Sequence, residues 1–399
     1  MGLIHSFKRI AVKNIFFVAY FSASSITLVV LIFFLFNYTK NTNSQIAFLS
    51  KQKQSAENGL EATQKELKSL KSQDQFVYNK NLQKEIDNIQ KTYKKEVDSY
   101  EKLLSLKEID KKTEKFDKIF TDAMVLLSKR NYASSEAMLE DLNKQIEEQK
   151  QKIASQFVIP QNVPTNNTPP LSGFNRQQVK ADIGTFLVDI VSTDLNSARV
   201  IVDTASDSDC RDNCPVLPLS DYVTRNGAFA GINGSYFCPA SYPSCAGKTN
   251  SFDTLLMNKN KVYFNSDNNK YSSIPLIYFS GNSAGVRGQS QDWGRDTGID
   301  AVIANQGLLL SQGNIVFGGD ADPKKGSKGG RSFVGNKGNT GYIGVVHNAT
   351  VAEAAHALKA LGLENALNLD DGGSTALWHS GYKVGPGRNI PNAVLFVRK

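Results

Sequence analysis

The chain has 399 residues and a formal net charge of +8. This length exceeds one typical domain, and the composition changes along the chain, so at least two structural regions are expected. Residues 1–170 hold 25 Lys and Arg against 19 Asp and Glu, and residues 171–399 hold 21 against 19. The excess positive charge is therefore concentrated in the first part, and no basic and aromatic nucleic-acid module is present, which excludes nucleic acid as the expected partner.

An uncharged, mostly apolar stretch of 22 residues runs from Ile15 to Phe36. At about 1.5 Å of rise per residue, a helix of this length spans the hydrocarbon core of a bilayer. Three basic residues precede it and only Lys40 follows closely, so the positive-inside rule predicts a cytoplasmic tail over residues 1–14 and an extracytoplasmic C-terminal part. The stretch is longer than a signal-peptide core and lacks a clear cleavage site after it, which favours an uncleaved membrane anchor over a signal peptide.

Residues 43–155 are rich in Lys, Glu and Gln, lack proline and contain one glycine. This composition predicts an all-helical stalk, and one apolar series follows coiled-coil spacing: Leu82, Ile86, Ile89, Tyr93, Val97, Tyr100 and Leu104. A pair of helices is predicted next, separated by a break near Asn131, with the second helix beginning around Ser134-Ser135. Their apolar faces contain Phe116, Phe120, Ala123 and Leu127, and then Leu139, Leu142 and Ile146. The stalk fits equally well an element for homo-oligomerisation and a helical hairpin that packs only on itself.

Residues 156–172 form a predicted linker, since Val158–Leu171 contains four prolines. Beyond it, residues 173–399 are predicted to fold as an α+β domain with a mixed β-sheet and few helices. The predicted helix is Val351–Leu361. The strand-like runs are Thr185–Val191, Ala198–Val202, Ala228–Ile232, Ile274–Phe279, Ala301–Ala304, Tyr342–Val346 and Ala393–Val397.

The four cysteines all fall in the part predicted to be exported. An even number of closely spaced cysteines outside the membrane favours disulfides over free thiols. Of the three possible connectivities, we expect the one that closes two short loops, with the disulfides Cys210–Cys214 and Cys238–Cys245. The alternative is a four-thiolate zinc site, but neither gap has the CxxC spacing of a zinc knuckle.

The segment Asn368–Thr375 reads NLDDGGST and carries two adjacent carboxylates, Asp370 and Asp371, at the end of a strand-like run. The glycines that follow, Gly372 and Gly373, lack side chains, so backbone and substrate can approach each other closely here. The alternative is a tight turn in which an aspartate bonds to its own backbone or caps the next helix.

Three further segments carry polar side chains beside glycine. Gly231–Phe237 contains Asn233 and Gly234 where a strand meets a turn, and Gly329–Phe333 contains Arg331. The third, Gly387-Arg388-Asn389, lies just before the last strand-like run. An arginine beside flexible backbone offers a planar fork that matches two phosphate oxygens, although either arginine could also be an ordinary surface residue.

Taken in this order, the segments resemble the phosphodiester glycosidase domain family over roughly residues 173–399. Asn233-Gly234-x-x-Phe237 is similar to that family's Asn-Gly-Gly-Phe-Phe, and Asn368–Ser374 is similar to its Asn-Leu-Asp-Gly-Gly-Gly-Ser. This chain has Asp371 where the family has the first of three glycines. A second negative charge at this place could crowd the pocket or raise the pKa of one carboxylate by like-charge repulsion.

The resemblance implies hydrolysis of the bond between the anomeric carbon of a sugar and a phosphodiester. Asp370 is then the base or nucleophile, with Asp371 as the second catalytic candidate. The substrate-binding residues implied are Asn233, Gly234, Arg331, Gly372, Gly373, Ser374 and Arg388. No metal or other cofactor is expected.

The leading interpretation is a membrane-anchored extracytoplasmic hydrolase that acts on sugar phosphodiesters of envelope glycopolymers, with residues 15–36 as the contact with the membrane. Two alternatives stay open. One is a phosphodiesterase that cleaves the P–O bond with a divalent cation on Asp370 and Asp371, and the other is an envelope protein that binds anionic glycan without catalysis.

Overall fold

A computed structural model describes the backbone of residues 4–399 and the side chains of residues 22 and 24–399, except those of residues 74, 268 and 269. The start of the predicted tail, residues 1–3, lies outside the described residues, as do the side chains of residues 15–21 and 23 of the predicted anchor. Residues up to Asn88 and residues from Ile89 to Lys399 form two compact units, and each is described by itself.

Four helices make up the N-terminal part: α1 Ile4–Ser72, α2 Asp74–Ile109, α3 Glu114–Ser128 and α4 Tyr132–Ser155. One helical stretch among the described residues, within Ser24–Ser72, is long and apolar enough to cross a membrane, by length and composition. Its apolar side chains between Ile26 and Phe36 are all exposed, as they would be if lipid surrounded them.

The end of α2 packs with α3 and α4 around a small apolar core: Leu103, Leu106, Phe116, Ala123, Leu139, Leu142 and Ile146. The second helix of the pair begins earlier than predicted, because Asn131 and not a serine caps it. The Asn131 side chain accepts a hydrogen bond from the amide of Ser134, while Ser135 is buried and donates to the carbonyl of Ala123. Asparagine satisfies the free amides of a helix start as well as serine does.

The predicted coiled-coil series is only partly covered in the single chain. Leu82, Ile86, Ile89 and Tyr93 are each at least 40% exposed. Further along α2 the apolar side chains join the core of the helical part, where Leu103 and Leu106 are fully buried. Oligomerisation through the exposed section stays a prediction.

The C-terminal part consists of short strands with few helices, as predicted. Its strands are β1 Gly173–Ala181, β2 Gly184–Asp194, β3 Ala198–Thr204, β4 Ala230–Asn233, β5 Leu256–Met257, β6 Tyr263–Phe264, β7 Leu276–Ser280, β8 Ser283–Arg287, β9 Ala301–Ala304, β10 Leu308–Ser311, β11 Asn314–Ile315, β12 Gly329–Lys337, β13 Thr340–Ala349, β14 Asn365–Asn368, β15 Leu377–His379, β16 Tyr382–Val384 and β17 Asn392–Arg398. The helices are α5 Leu219–Arg225, α6 Asn268–Tyr271, α7 Pro323–Gly326 and α8 Val351–Ala360.

These strands form three sheets, with strand orders β1-β2-β13-β12-β14-β10-β11, β16-β15-β4-β17-β3 and β6-β5-β9-β7-β8. Every named pair in the described residues is antiparallel, so the sheets are antiparallel and not mixed. One apolar core joins all three sheets, with Val191, Ile232, Ile303, Leu367 and Val394 among its buried members. The core holds the ends of β4 and β14 in fixed positions.

Helix α8 covers the other face of the first sheet through Ala354, Ala355 and Leu358, which are fully buried. A capping box starts it: the Thr350 side chain accepts from the amide of Glu353, and the Glu353 side chain accepts from the amide of Thr350.

Both predicted disulfides are present, Cys210–Cys214 and Cys238–Cys245. All four thiols are consumed, so the zinc alternative is wrong. The second disulfide closes the loop that follows β4, which carries Tyr242 at its tip.

Candidate functional site

The candidate site lies where the end of β4 meets the segment that follows β14. Strand β4 belongs to the second sheet and pairs with β15 and β17, while β14 belongs to the first sheet and pairs with β12. The shared core brings these two sheets together. Residues far apart in sequence thus reach hydrogen-bonding distance at one place.

Asn233 is the buried connection between the two sheets, with no exposed surface. Its Nδ2 donates to the carbonyl of Asp370 at 2.6 Å. Its Oδ1 accepts from the Ser332 hydroxyl at 2.9 Å and from the amide of Ala376 at 3.1 Å. All polar atoms of the Asn233 side chain thus have partners within the protein. The bond to the Asp370 carbonyl suits Asn233 to hold the backbone of Asp370 in place.

Gly234 packs directly against Asn392, the first residue of β17. A Cβ at Gly234 would overlap the Asn392 side chain and approach its carbonyl oxygen at 2.8 Å. The amide of Gly234 also donates to that carbonyl at 3.0 Å. The position requires glycine because of this close approach.

Asp371 and Arg331 form a buried ion pair. Arg331 Nη1 donates to Asp371 Oδ2 at 2.9 Å, and the two side chains are 6% and 8% exposed. Three further donors of Arg331 bond to the carbonyls of Ala349, Lys324 and Ser327. Four of the five N–H donors of the guanidinium are therefore used inside the protein.

Three more donors reach the Asp371 carboxylate. The amide of Ser332 bonds to Oδ1 at 3.1 Å, and the Tyr236 hydroxyl and Asn368 Nδ2 bond to Oδ2 at 3.2 and 3.0 Å. Both oxygens of Asp371 are thus occupied. A divalent cation on the pair Asp370 and Asp371 would have to displace these donors, so the donor set fits a cation poorly.

Tyr236 takes part in the same network. Burial is the largest cause of the raised pKa of its hydroxyl, and the carboxylates of Asp371 and Asp370 add to it. Its hydroxyl accepts from Asn368 Nδ2 at 2.9 Å while donating to Asp371. This tyrosine stays protonated over the physiological pH range.

Asp370 is the carboxyl group that is not paired with an arginine. It is 9% exposed, its Oδ1 accepts from the amide of Asp371 at 2.9 Å, and its backbone amide donates to the carbonyl of Gly234 at 2.8 Å. Burial raises the pKa of Asp370 to about 7, and the charge of Asp371 adds to the rise; the hydrogen bond from Ser374 and the charge of Arg388 oppose it. A group with this pKa can gain or lose a proton near neutral pH.

Gly372 and Gly373 begin a short 3-10 turn directly after the two aspartates. Gly372 has a φ of +62°, which favours glycine. The amides of both glycines donate to no group in the part of the chain that the structure describes. The amide of Arg388 bonds to the carbonyl of Gly373 at 2.7 Å, which holds the Arg388 side chain beside the turn.

The opening of the site is lined by Tyr242, Lys324 and Arg388. The Arg388 guanidinium carbon lies 5.6 Å from the centre of the Tyr242 ring, and Lys324 Nζ lies 5.4 Å from it. The Cys238–Cys245 disulfide closes the loop that holds Tyr242. An aromatic ring with two cations near it is a surface suited to a sugar with an attached anion.

Two cavities in the described part of the molecule bear on the site's surroundings. A cavity of about 440 Å³ reaches Tyr236 from the side of the disulfides, with Arg211, Phe237, Lys248 and Phe252 in its lining. A larger one, of about 620 Å³, is lined by residues of the other sheet edge, including Trp378 and His379, and none of the residues of the candidate site borders it.

The structure joins the predicted site residues in one connected network, but at two levels. Gly372, Gly373 and Arg388 lie toward the surface and Asp371 is partly exposed, whereas Asn233, Gly234, Arg331, Asp370 and Ser374 are buried. The catalytic and binding roles given to these residues stay predictions.

Sequence reasoning missed Tyr236, Asn368 and Ser332, although each lies within or beside a predicted segment. It also missed Tyr242 and Glu108. The only available signal for Tyr242 was its place between two cysteines, and Glu108 gave no signal, since it lies in the helical region. Among the described residues, no group of three or more His, Cys, Asp or Glu is arranged to hold a metal ion.

Comparison with known proteins gives a family for the C-terminal part. Residues 226–397 match the model of the family described as phosphodiester glycosidase. No curated protein matches the chain. A zebrafish N-acetylglucosamine-1-phosphodiester alpha-N-acetylglucosaminidase catalytic domain, auto-inhibited by its pro-peptide, is similar in structure with a TM-score of 0.44 at 16% identity, over 60% of this chain and 87% of that one.

A hypothetical protein from Synechocystis is similar with a TM-score of 0.41 at 13% identity, over 57% of this chain. The match spans 62% of the length of the Synechocystis chain.

Proposed function

We propose that this site hydrolyses the bond between the anomeric carbon of a sugar and a phosphodiester, with Asp370 as its reacting carboxyl group; the match of residues 226–397 to the model of the phosphodiester glycosidase family supports this reaction. The observation that carries the proposal is the position of Asp370. It is a buried carboxyl with a pKa of about 7, next to two glycines and an arginine at the opening of the site.

When the bond between the anomeric carbon and oxygen breaks, the phosphomonoester leaves as a stable anion, so the reaction needs less proton donation than the hydrolysis of an ordinary glycoside, which uses a carboxylic acid for this purpose. What it needs is positive charge and amide donors where the departing oxygens lie. Arg388 and the free amides of Gly372 and Gly373 supply both on one side of Asp370. We assign the phosphate to this place.

Asp370 acts in its ionised form, either by attacking the anomeric carbon or by taking a proton from the attacking water. Ionisation at neutral pH suits both roles, because the carboxylate is present in quantity and still basic. The buried network below it, from Asn233 to the pair of Arg331 and Asp371, fixes the backbone that carries Asp370. In this assignment Arg331 and Asp371 are positioning residues.

We further propose that the protein is anchored in a membrane by residues 15–36, with the hydrolase domain outside the cytoplasm. The apolar stretch and the two disulfides support this arrangement. A tethered enzyme of this specificity would meet anionic glycopolymers of the cell envelope, and we propose sugar phosphodiesters of such polymers as its substrates.

The test uses a set of sugar 1-(4-nitrophenyl) phosphodiesters with the full-length protein in detergent micelles. Cleavage at the sugar releases 4-nitrophenyl phosphate, which becomes coloured only after a phosphatase is added, whereas cleavage at phosphorus on the aryl side gives 4-nitrophenol directly. We expect colour only with the phosphatase, and no colour from Asp370→Asn. Immediate colour, or equal rates for wild type and variant, would contradict the proposal.

A further inference from the structure

The last turn of α2 lies at the opening of the candidate site. The Glu108 carboxylate forms an ion pair with Arg388 Nη2, and the two side chains are 26% and 22% exposed. Glu108 also lies over the glycine turn: a Cβ at Gly373 would lie 2.5 Å from Glu108 Oε1, and one at Gly372 would lie 3.4 Å from Oε2. The carboxylate thus lies on Arg388 and over both glycines at once.

This position is the one assigned to the substrate phosphate. A carboxylate and a phosphodiester each carry one negative charge, and both bind to the fork of a guanidinium group. They cannot occupy the same edge of Arg388 together. We propose that Glu108 is an internal inhibitor: its carboxylate takes the place of the substrate phosphate, and the end of α2 must leave before substrate binds. The proposal rests on the proposed function in one respect, the use of Arg388 for phosphate.

The way in which the helices attach to the hydrolase domain permits such a release. The amide of Ser244 donates to Glu101 Oε1 at 2.9 Å, and Asn348 Nδ2 donates to the carbonyl of Ala154 at 2.9 Å. These contacts are polar. Among the described residues, each hydrophobic cluster lies wholly within the helices or wholly within the β domain. The helices can therefore separate from the site without opening an apolar core.

Attachment to the same chain makes a weak contact effective. An ion pair that is about one-quarter exposed binds weakly by itself. Glu108 is nevertheless present at the high local concentration of an intramolecular partner, which is of the order of millimolar for flexible tethers. A polymer with many phosphodiesters can compete with Glu108 for Arg388, because its linked phosphodiester groups also raise the local concentration of phosphate at the site.

The first test compares initial rates of sugar phosphodiester hydrolysis by full-length wild type, Glu108→Gln and Asp98→Asn. Asp98 is a matched control, since it lies on the same helix and pairs with Lys102 of that helix. We expect Glu108→Gln to lower KM roughly tenfold, as the loss of about 1.4 kcal/mol of competing interaction would, and Asp98→Asn to leave it unchanged. An unchanged or raised KM in Glu108→Gln, or a fall in kcat, would overturn the proposal, the latter by making Glu108 a catalytic group.

The second test does not depend on catalysis. Hydrogen–deuterium exchange of full-length protein is followed at the Ser244 amide, which donates to Glu101 Oε1 of α2, with dimethyl phosphate as the probe and sodium chloride at equal ionic strength as the control. We expect dimethyl phosphate to speed exchange at Ser244 in wild type, because the helices leave, and Glu108→Gln to show the fast exchange without it. Equal exchange in dimethyl phosphate and in chloride would overturn the inhibitor proposal.

The experiments distinguish a failure of the inhibitor proposal from a failure of the proposed function. Hydrolysis at the sugar without release of α2 overturns the inhibitor and leaves the proposed function intact. Release of α2 by dimethyl phosphate without hydrolysis of any sugar phosphodiester supports the competition at Arg388 and counts against the proposed function.

Discussion

Arg331 and Asp371 form an ion pair beneath the site, with Nη1 and Oδ2 at 2.9 Å and both side chains less than one-tenth exposed. The sequence suggested a phosphate ligand at Arg331 and an intruding charge at Asp371, where the resembling family has glycine. The ion pair accounts for both residues instead, since the Asp371 carboxylate neutralises the buried Arg331 guanidinium. Of the two predicted arginines, this leaves Arg388 as the one that faces the opening.

Asp371→Asn should destabilise the protein strongly. The substitution keeps the shape and removes the charge that compensates Arg331, and breaking one partner of a buried pair typically costs about 3–5 kcal/mol. We expect a clear fall in the melting temperature of the full-length protein. The double variant Arg331→Met with Asp371→Asn should recover part of the loss, because no uncompensated charge remains. Additive losses would show that the pair is not coupled.

Asp370→Asn should abolish hydrolysis and yet stabilise the fold at alkaline pH. The folded pKa of about 7 lies above an unfolded value near 3.9, so the folded state holds the proton more tightly. The stability that this provides is present below about pH 4, declines as the pH rises, and is lost above about pH 7. Ionised Asp370 therefore costs up to about 4 kcal/mol at pH 8, and asparagine avoids that cost.

The check is the difference in melting temperature between Asp370→Asn and wild type, measured at about pH 8 and about pH 4. We expect a positive difference at the higher pH that shrinks at the lower one. Asp292→Asn, at an exposed position, is the control and should show no such trend. A variant that is less stable than wild type at both values would contradict the assignment of a raised pKa to Asp370.

Ser374→Ala should move the acid limb of the pH–rate profile to higher pH. The Ser374 hydrogen bond favours the ionised form of Asp370 and lowers its pKa, so its removal raises that pKa further. If the ionised carboxylate reacts, kcat/KM increases with pH and reaches its plateau later in the variant. Ser283→Ala, at the exposed start of β8, should keep the wild-type profile. A limb that moves to lower pH would assign the profile to another group.

Arg388→Lys should reduce kcat/KM roughly 10- to 100-fold, since a charged hydrogen bond contributes about 1.5–3 kcal/mol. Lysine keeps the charge and loses the fork that matches two phosphate oxygens. Arg398→Lys is the control, because Arg398 lies at the edge of the other cavity. Equal rates in Arg388→Lys and wild type would remove Arg388 from phosphate recognition.

The sequence predicted the fold class and less than half of the seventeen strands in the described residues, because those buried strands carry continuous apolar runs. Each of the seven predicted runs overlaps a strand, although Ala228–Ile232 and Ile274–Phe279 begin two residues before theirs, and the helix predicted at Val351–Leu361 is α8. Strand β1 was missed, since its residues Gly173–Ala181 are mainly polar and its pairing with β2 along its whole length determines its structure. Helix α5 was missed because seven residues give too little periodicity to recognise.

The sequence predicted which segments form the site, but not how their side chains are arranged in space. Motif order indicated Asn233, Asp370 and Arg388, yet nothing local shows that Asn233 is fully buried or that Arg331 has a partner. Those facts depend on how two sheets meet. The contact of Glu108 with Arg388 joins residues 280 positions apart and lies in a segment with no motif, so only the folded chain reveals it.

The most direct test of the proposed reaction follows the oxygen of water into the products. Full-length protein hydrolyses a sugar phosphodiester in isotope-labelled water, and phosphorus NMR and mass spectrometry locate the label. If Asp370 directs attack on the anomeric carbon, the label enters the sugar and the released phosphomonoester carries none. Label in the phosphomonoester would show cleavage at phosphorus and contradict the proposed reaction.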